Sequence, residues 1–178
     1  MSETYTIKNA ILRYHDLFVP SQKYGKYSLT LMLPSNDPQI AELDAAIVRE
    51  ANDVWAAKAK EHIAASKRGD RYALTDGALM GKAEFEGRYR IKIQSQDVAA
   101  AFDAEGIPTR DSKLFRPGCL VNARVRVNTW IPKDSAPNCT LKLIAIRYVA
   151  PGEPIVSGAS ITDDDLTALG IDPGALML

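Results

Sequence analysis

The chain has 178 residues, of which 46% are hydrophobic and 25% charged, so its composition is that of a globular domain and excludes wholesale disorder. It contains no run of 18 apolar residues, and its first five residues lack a basic start and an apolar stretch, so we expect neither a membrane span nor a signal peptide. Cys119 and Cys139 have no metal-type partners at short spacing, which predicts free buried thiols in a reducing cytoplasm.

The net charge of zero conceals an uneven distribution. Residues 151–178 contain five acidic groups and no lysine or arginine, whereas residues 1–150 contain 22 basic and 17 acidic groups. The sequence therefore predicts a basic folded domain, 1–150, followed by an acidic C-terminal tail, 151–178. A basic excess of this size is also common by chance, so its meaning depends on where the cations lie.

Two strands are predicted before residue 35. Residues 27–33 alternate between apolar and polar, which is typical of a half-buried strand, and Pro34 ends the pattern. A first strand is predicted near residues 6–14. The link between the two strands is turn-like, basic and aromatic, and in it we expect Tyr24 to be exposed and Tyr27 to be buried.

A helix is predicted over residues 38–66. Asp37 can cap it, and Pro38 is a favoured first residue. Apolar residues then recur at helical spacing as far as Trp55, which we expect to pack in the core.

Strand patterns return between residues 71 and 150. Residues 88–94 and 120–131 alternate, and residues 141–149 form a mostly apolar strand after a hairpin-like loop at 132–138. This inventory predicts a mainly β fold, an oligonucleotide-binding (OB)-fold-like, partly open, five-stranded Greek-key barrel with one main helix inserted between strands. A small sandwich or another α+β sheet is an alternative, whereas a parallel α/β fold is disfavoured because strands and helices do not alternate.

The polar faces of two predicted strands are cationic. On residues 121–131, Arg124, Arg126 and Trp130 share the face opposite the valines, and on residues 88–94 the side chains of Arg88, Arg90 and Lys92 share another. Neighbouring like charges repel one another, and no carboxylates alternate with these rows. A ligand with regularly spaced negative charge would offset the repulsion, and nucleic acid is such a ligand. A solvated outer sheet face is the alternative interpretation.

Catalysis is harder to support from the residues. The two histidines, His15 and His62, are expected to be structural or surface residues, and no hydrolase, metalloprotease or phosphate-loop motif occurs. The run 163–165 of three aspartates is better explained as the cap of a short helix than as a metal site. We therefore expect no catalytic residues, no metal and no cofactor.

Two blocks carry a family resemblance. The segment Lys-Tyr-Gly-Lys-Tyr-Ser-Leu-Thr-Leu-Met-Leu-Pro at 23–34 and the segment Phe-Arg-Pro-Gly-Cys-Leu-Val-Asn-Ala at 115–123 resemble those of bacteriophage single-stranded DNA-binding proteins of the OB fold. The likeness covers roughly residues 5–150. It implies a protein that coats single-stranded DNA in replication or recombination, with an acidic tail that contacts replication proteins and competes with DNA.

The leading hypothesis is a non-enzymatic, largely sequence-independent single-stranded DNA-binding protein of the host cell cytoplasm, for which an oligomer is compatible with the sequence. Phosphate contacts and base stacking would hold the DNA. The rival hypotheses are a DNA-processing enzyme such as a nuclease, and a β-barrel virion assembly protein. The residues predicted to bind nucleic acid are Lys23, Tyr24, Lys26, Arg88, Arg90, Lys92, Arg116, Arg124, Arg126 and Trp130.

Overall fold

The computed structural model describes residues 3–22, 25–153 and 163–170. The helices in these ranges are α1 (Pro38–Trp55), α2 (Ala59–Arg68) and α3 (Asp163–Ala168). The strands in the same ranges are β1 (Thr4–Asp16), β2 (Tyr27–Pro34), β3 (Leu74–Asp76), β4 (Arg88–Ser95), β5 (Ala101–Phe102), β6 (Leu120–Trp130) and β7 (Asn138–Ala150). None of the helices in the described part of the chain is long and apolar enough to cross a membrane.

The five long strands form a barrel. Their neighbours run in the order β4-β2-β1-β6-β7, with β3 added beside β4 and β5 beside β7. The ring closes through a parallel pairing of β4 with β7 at Gln94 and Lys142. A mainly β, five-stranded barrel with one main helix between strands was predicted from the sequence, and this prediction is confirmed.

Alternation along each long strand separates the barrel core from its outer surface. On β6, Val121, Ala123, Val125 and Val127 are fully buried. They pack with apolar residues of the other strands, including Leu31 of β2. Successive side chains of a strand point to opposite faces, so the intervening polar residues of β6 lie on the outer surface.

The predicted helix is interrupted. Asp37 caps α1 by accepting a hydrogen bond from the Gln39 amide, and Pro38 is its first residue, as expected. The helical path breaks at Ala56, whose φ is 50°, and continues as α2. Trp55 packs against the core, as predicted, and its ring makes an edge contact with His62 at 5.0 Å.

The segment between α2 and β3 inserts between two strands of the barrel. The Cys139 amide donates to the Arg71 carbonyl, and the Ala73 amide donates to the Cys139 carbonyl, which ties the segment to β7. The Ala73 carbonyl accepts a hydrogen bond from the Lys92 amide of β4. Backbone hydrogen bonds on both sides therefore fix the position of Asp70, which begins the segment.

Candidate nucleic-acid interface

The outward face of β6 has the predicted composition. Arg124, Arg126 and Trp130 are exposed, and 43% of the Trp130 surface is accessible. Thr129, the polar exception on the inner face, is buried. The alternation over 120–131 predicts that Ile131 lies on the inner face with the valines. This was wrong, because β6 ends at Trp130 and Ile131 is exposed in the following loop.

Beside Trp130, three adjoining cavities of about 310, 520 and 320 Å³ form a continuous groove on the outer surface of the barrel. All three are lined by Lys26 and Gln94, while Trp130 borders two of them and Lys92 borders two. We call this feature the groove. Its polar and aromatic lining from the strands and their flanks includes Lys26, Lys92, Gln94, Asn128, Trp130, Thr140 and Lys142.

Strand register explains why these residues meet. Arg126 is paired with Lys142 of β7, and the next outward pair along the two strands joins Asn128 to Thr140. Lys142 is in turn opposite Gln94 of β4. Outward positions on a strand repeat about every 6.6 Å, so cationic, amide and aromatic groups follow one another along β6 at this spacing.

Arg124 continues the row beyond Arg126. Its guanidinium donates to the hydroxyls of Thr6, at 2.9 Å, and Thr4, at 2.8 Å, both on the neighbouring strand β1. These neutral partners orient the side chain without neutralising its charge. Arg124 therefore presents its positive charge on the outer face of β6, two residues beyond Arg126.

The cationic row of β4 differs from the prediction. We expected no carboxylate to compensate it, and this was wrong, because Asp70 forms ion pairs with Arg90 at 2.6 Å and with Lys92 at 3.2 Å. The Lys92 ammonium also donates to the Asp70 carbonyl. Asp70 is 20 or more residues away in sequence, which is why alternation within the strand did not reveal it.

Burial and the neighbouring cations shift the pKa of Asp70 in opposite directions. Partial burial disfavours the Asp70 carboxylate, but the Lys92 and Arg90 cations outweigh this effect and hold the pKa of Asp70 below its ordinary value. Burial lowers the pKa of Lys92, and Asp70 only partly restores it. Asp70 is therefore ionised at neutral pH, and it is the charge that compensates the buried part of the row.

A family model described as Enterobacter phage Enc34, ssDNA-binding protein, matches residues 4–174. The chain belongs to this family. The resemblance to phage single-stranded DNA-binding proteins, drawn from two sequence blocks, is thereby confirmed. No curated protein matches the chain.

Solved structures of phage single-stranded DNA-binding proteins are similar in fold. The single-stranded DNA-binding protein from bacteriophage Enc34 is 17% identical, with a TM-score of 0.70 over 92% of this chain and 89% of that chain. A structure of that protein in complex with ssDNA has a TM-score of 0.70 at 18% identity over 86% of this chain and 89% of that chain. The bacteriophage T7 single-stranded DNA-binding protein gp2.5 has a TM-score of 0.64 at 16% identity over 94% of each chain.

Of the ten predicted binding residues in this member of the Enc34 family, Lys26, Lys92 and Trp130 line the groove. Arg90 lies two residues from Lys92 on β4, Arg126 is paired with Lys142, and Arg124 lies two residues beyond Arg126 on β6.

The other four lie elsewhere or outside the described residues. Lys23 and Tyr24 lie outside the described residues. Arg88 lies six residues before Gln94 on β4, about 20 Å along the strand, and donates to the Glu84 carbonyl. Arg116 is exposed four residues before β6, at the end of that strand about 33 Å from Trp130, and its aromatic neighbour Phe115 is buried.

Two cations at the groove were missed by sequence reasoning. Lys142 is exposed on β7 between buried or half-buried apolar residues, and Arg71 lines the same groove from the segment before β3. The alternation of Thr140 and Lys142 with Cys139 and Leu141 was a usable signal for the first. Arg71 carried no such signal, because it precedes a strand of only three residues.

The histidine and cysteine side chains are packed against other side chains of the protein. The His15 ring lies 6.4 Å from the rings of both Phe18 and Phe115, and Cys119 and Cys139 are buried free thiols. Burial raises the pKa of the Cys119 thiol to about 11. Across residues 3–22, 25–153 and 163–170, no three His, Cys, Asp or Glu side chains are placed to hold a metal ion.

Proposed function

We propose that the chain binds and protects single-stranded DNA during phage DNA replication or recombination, and that the DNA lies in the groove. The observation that carries this proposal is the convergence of an exposed tryptophan with lysines from three separate parts of the chain, Lys26, Lys92 and Lys142. Membership of the Enc34 single-stranded DNA-binding family supports it.

The groove supplies the two interactions that hold single strands without selecting a sequence. Lys26, Lys142 and Arg126 neutralise phosphates, and each phosphate contact releases counterions into solution. Trp130 is the stacking surface for an unpaired base, since every base has an aromatic face. Neither interaction reads the edges of bases, so sequence preference is weak.

The chain acts by binding and not by catalysis. The family to which it belongs is one of DNA-binding proteins. In this proposal it works in the host cytoplasm, residues 1–150 hold the DNA, and residues 151–178, which carry five acidic groups and no basic ones, contact replication proteins.

A titration with fluorescent oligonucleotides tests the proposal. Single-stranded DNA should bind more tightly than a duplex of the same sequence, with or without chelator, and should remain intact when Mg²⁺ is added. Cleavage of the strand would indicate a nuclease. Absence of binding to either form at low salt would contradict the proposal and favour the virion assembly protein.

A further inference from the structure

Asp70 places a carboxylate within a groove otherwise suited to polyanions. It lines the same cavity as Lys26, Lys92 and Trp130. One Asp70 carboxylate oxygen contacts both the Arg90 guanidinium and the Lys92 ammonium. A phosphate oxygen of a bound strand would contact the same two cations in this arrangement.

Asp70 covers the cations from the solvent side. Its side chain is 64% exposed, whereas the side chains of Arg90 and Lys92 are 16% and 31% exposed. A DNA phosphate that approaches from the groove therefore meets Asp70 first. Phosphate contact with these cations requires the carboxylate to move aside.

The ion pairs are of a kind that a phosphate can displace. Arg90 contacts the carboxylate through one terminal nitrogen, and its buried Nε has no hydrogen-bond partner in the described part of the chain. The pairing is thus not the two-point arrangement that makes arginine–carboxylate pairs strong. The Asp70 side chain is also largely in water, where ion pairs are weak and screened by salt.

The Asp70 backbone, in contrast, is fixed. Its φ of 53° lies in the left-handed region, and the residues that follow are hydrogen-bonded to β4 and β7. A rotation of the side chain alone can remove the carboxylate from both cations with no rearrangement of the barrel, while the Asp70 carbonyl keeps its hydrogen bond from the Lys92 ammonium.

We propose that Asp70 is an intramolecular counterion that occupies the place of a DNA phosphate on Lys92 and Arg90 and is displaced when the strand binds. This inference rests on the proposed function. Asp70 thereby weakens binding, because the strand must displace a carboxylate. It also reduces the salt dependence, because the displaced carboxylate beside the strand retains a salt cation that offsets one of those released from the DNA.

The test compares Asp70→Asn with the unaltered protein in a salt titration against single-stranded DNA. The variant should bind about three- to tenfold more tightly at low salt. Its log–log salt slope should be more negative by about 0.7, because the neutral amide no longer retains the salt cation that offsets one phosphate contact. The control is Asp53→Asn, which removes an exposed charge on α1 away from the groove and should change neither quantity.

A second pair of variants shows whether the effect is local. In a Lys92→Met background, Asp70→Asn should have a smaller effect than in the unaltered protein, because one of the two cations it frees is gone. An equal effect in both backgrounds would show general repulsion and overturn the inference. Unchanged or weaker binding by folded Asp70→Asn would also overturn it, as Asp70 would then serve to orient the cations. If the unaltered protein fails to bind single strands at all, the proposed function itself fails.

Discussion

Removal of the Trp130 side chain separates a DNA-stacking role from a structural one. Trp130→Ala eliminates an indole that is 43% exposed at the end of β6 and borders the groove. Loss of one stacked base costs about 1–3 kcal/mol, which weakens binding about five- to 150-fold. Because much of the ring is already in water, the free energy of unfolding should fall by less than the roughly 3–5 kcal/mol typical of a buried tryptophan.

The other tryptophan of the chain is a matched control. Trp55 packs against the core at the end of α1, outside the groove. Trp55→Ala should lower the free energy of unfolding and leave the affinity for DNA unchanged at temperatures where the protein is folded. Trp55→Phe leaves Trp130 as the only tryptophan, so its emission should be quenched when single-stranded DNA is added.

Fluorescence anisotropy with a labelled oligothymidylate measures the affinities, and chemical denaturation measures the stabilities. The reasoning is refuted if Trp130→Ala binds as tightly as the unaltered protein while its stability falls by the full amount for a buried tryptophan. Trp130 would then be a packing residue, and its position beside the lysines would have no role in binding.

Three further outcomes follow from the charges and burial described above. Four to six phosphate contacts predict that the affinity for single-stranded DNA falls with salt at a log–log slope of about −3 to −4. Lys142→Met should make this slope less steep by about 0.7, whereas the control Lys58→Met, outside the groove, should leave it unchanged. Equal slopes for the two variants would exclude Lys142 from the interface. Deletion of the tail, residues 151–178, which carry five acidic groups and no basic ones, should tighten binding most at low salt. Unchanged affinity with a lower melting temperature would mean that the tail only packs on the domain. The raised thiol pKa values predict that at pH 8 iodoacetamide labels Cys119 and Cys139 only after unfolding, so rapid labelling of the folded protein would contradict their burial.

Alternation along β6 predicted one wall of the interface from the sequence. Every second residue from Val121 to Thr129 is buried, and the residues between them face outward. Alternation alone therefore placed Arg126 and Trp130 correctly on the outer face of β6. The prediction failed at Ile131 because alternation of residue types continues beyond the point at which the strand ends. The end of β6 is set by its backbone pairing with β7, and the alternation of residue types along one strand carries no information about that pairing.

The charge balance of the groove could not be predicted in the same way. Asp70 and Lys92 are brought together by backbone hydrogen bonds that link three parts of the chain, and a local pattern does not report such contacts. Lys142 was missed for a different reason. β7 carries an extra residue between Leu143 and Ala145 relative to β6, so the alternation that places Lys142 on the outer face is confined to residues 139–143 and was overlooked in a mostly apolar strand.

Photo-crosslinking tests most directly whether the groove holds the DNA. A single strand that contains iododeoxyuridine is irradiated with the protein, and the crosslinked peptides are identified by mass spectrometry. If the DNA lies in the groove, the tryptic peptide with Trp130, residues 127–133, is the main product, and it disappears in Trp130→Ala or when unlabelled single strand competes. Crosslinks confined to peptides away from the groove, such as those that contain Tyr148 or Trp55, would contradict this placement of the DNA.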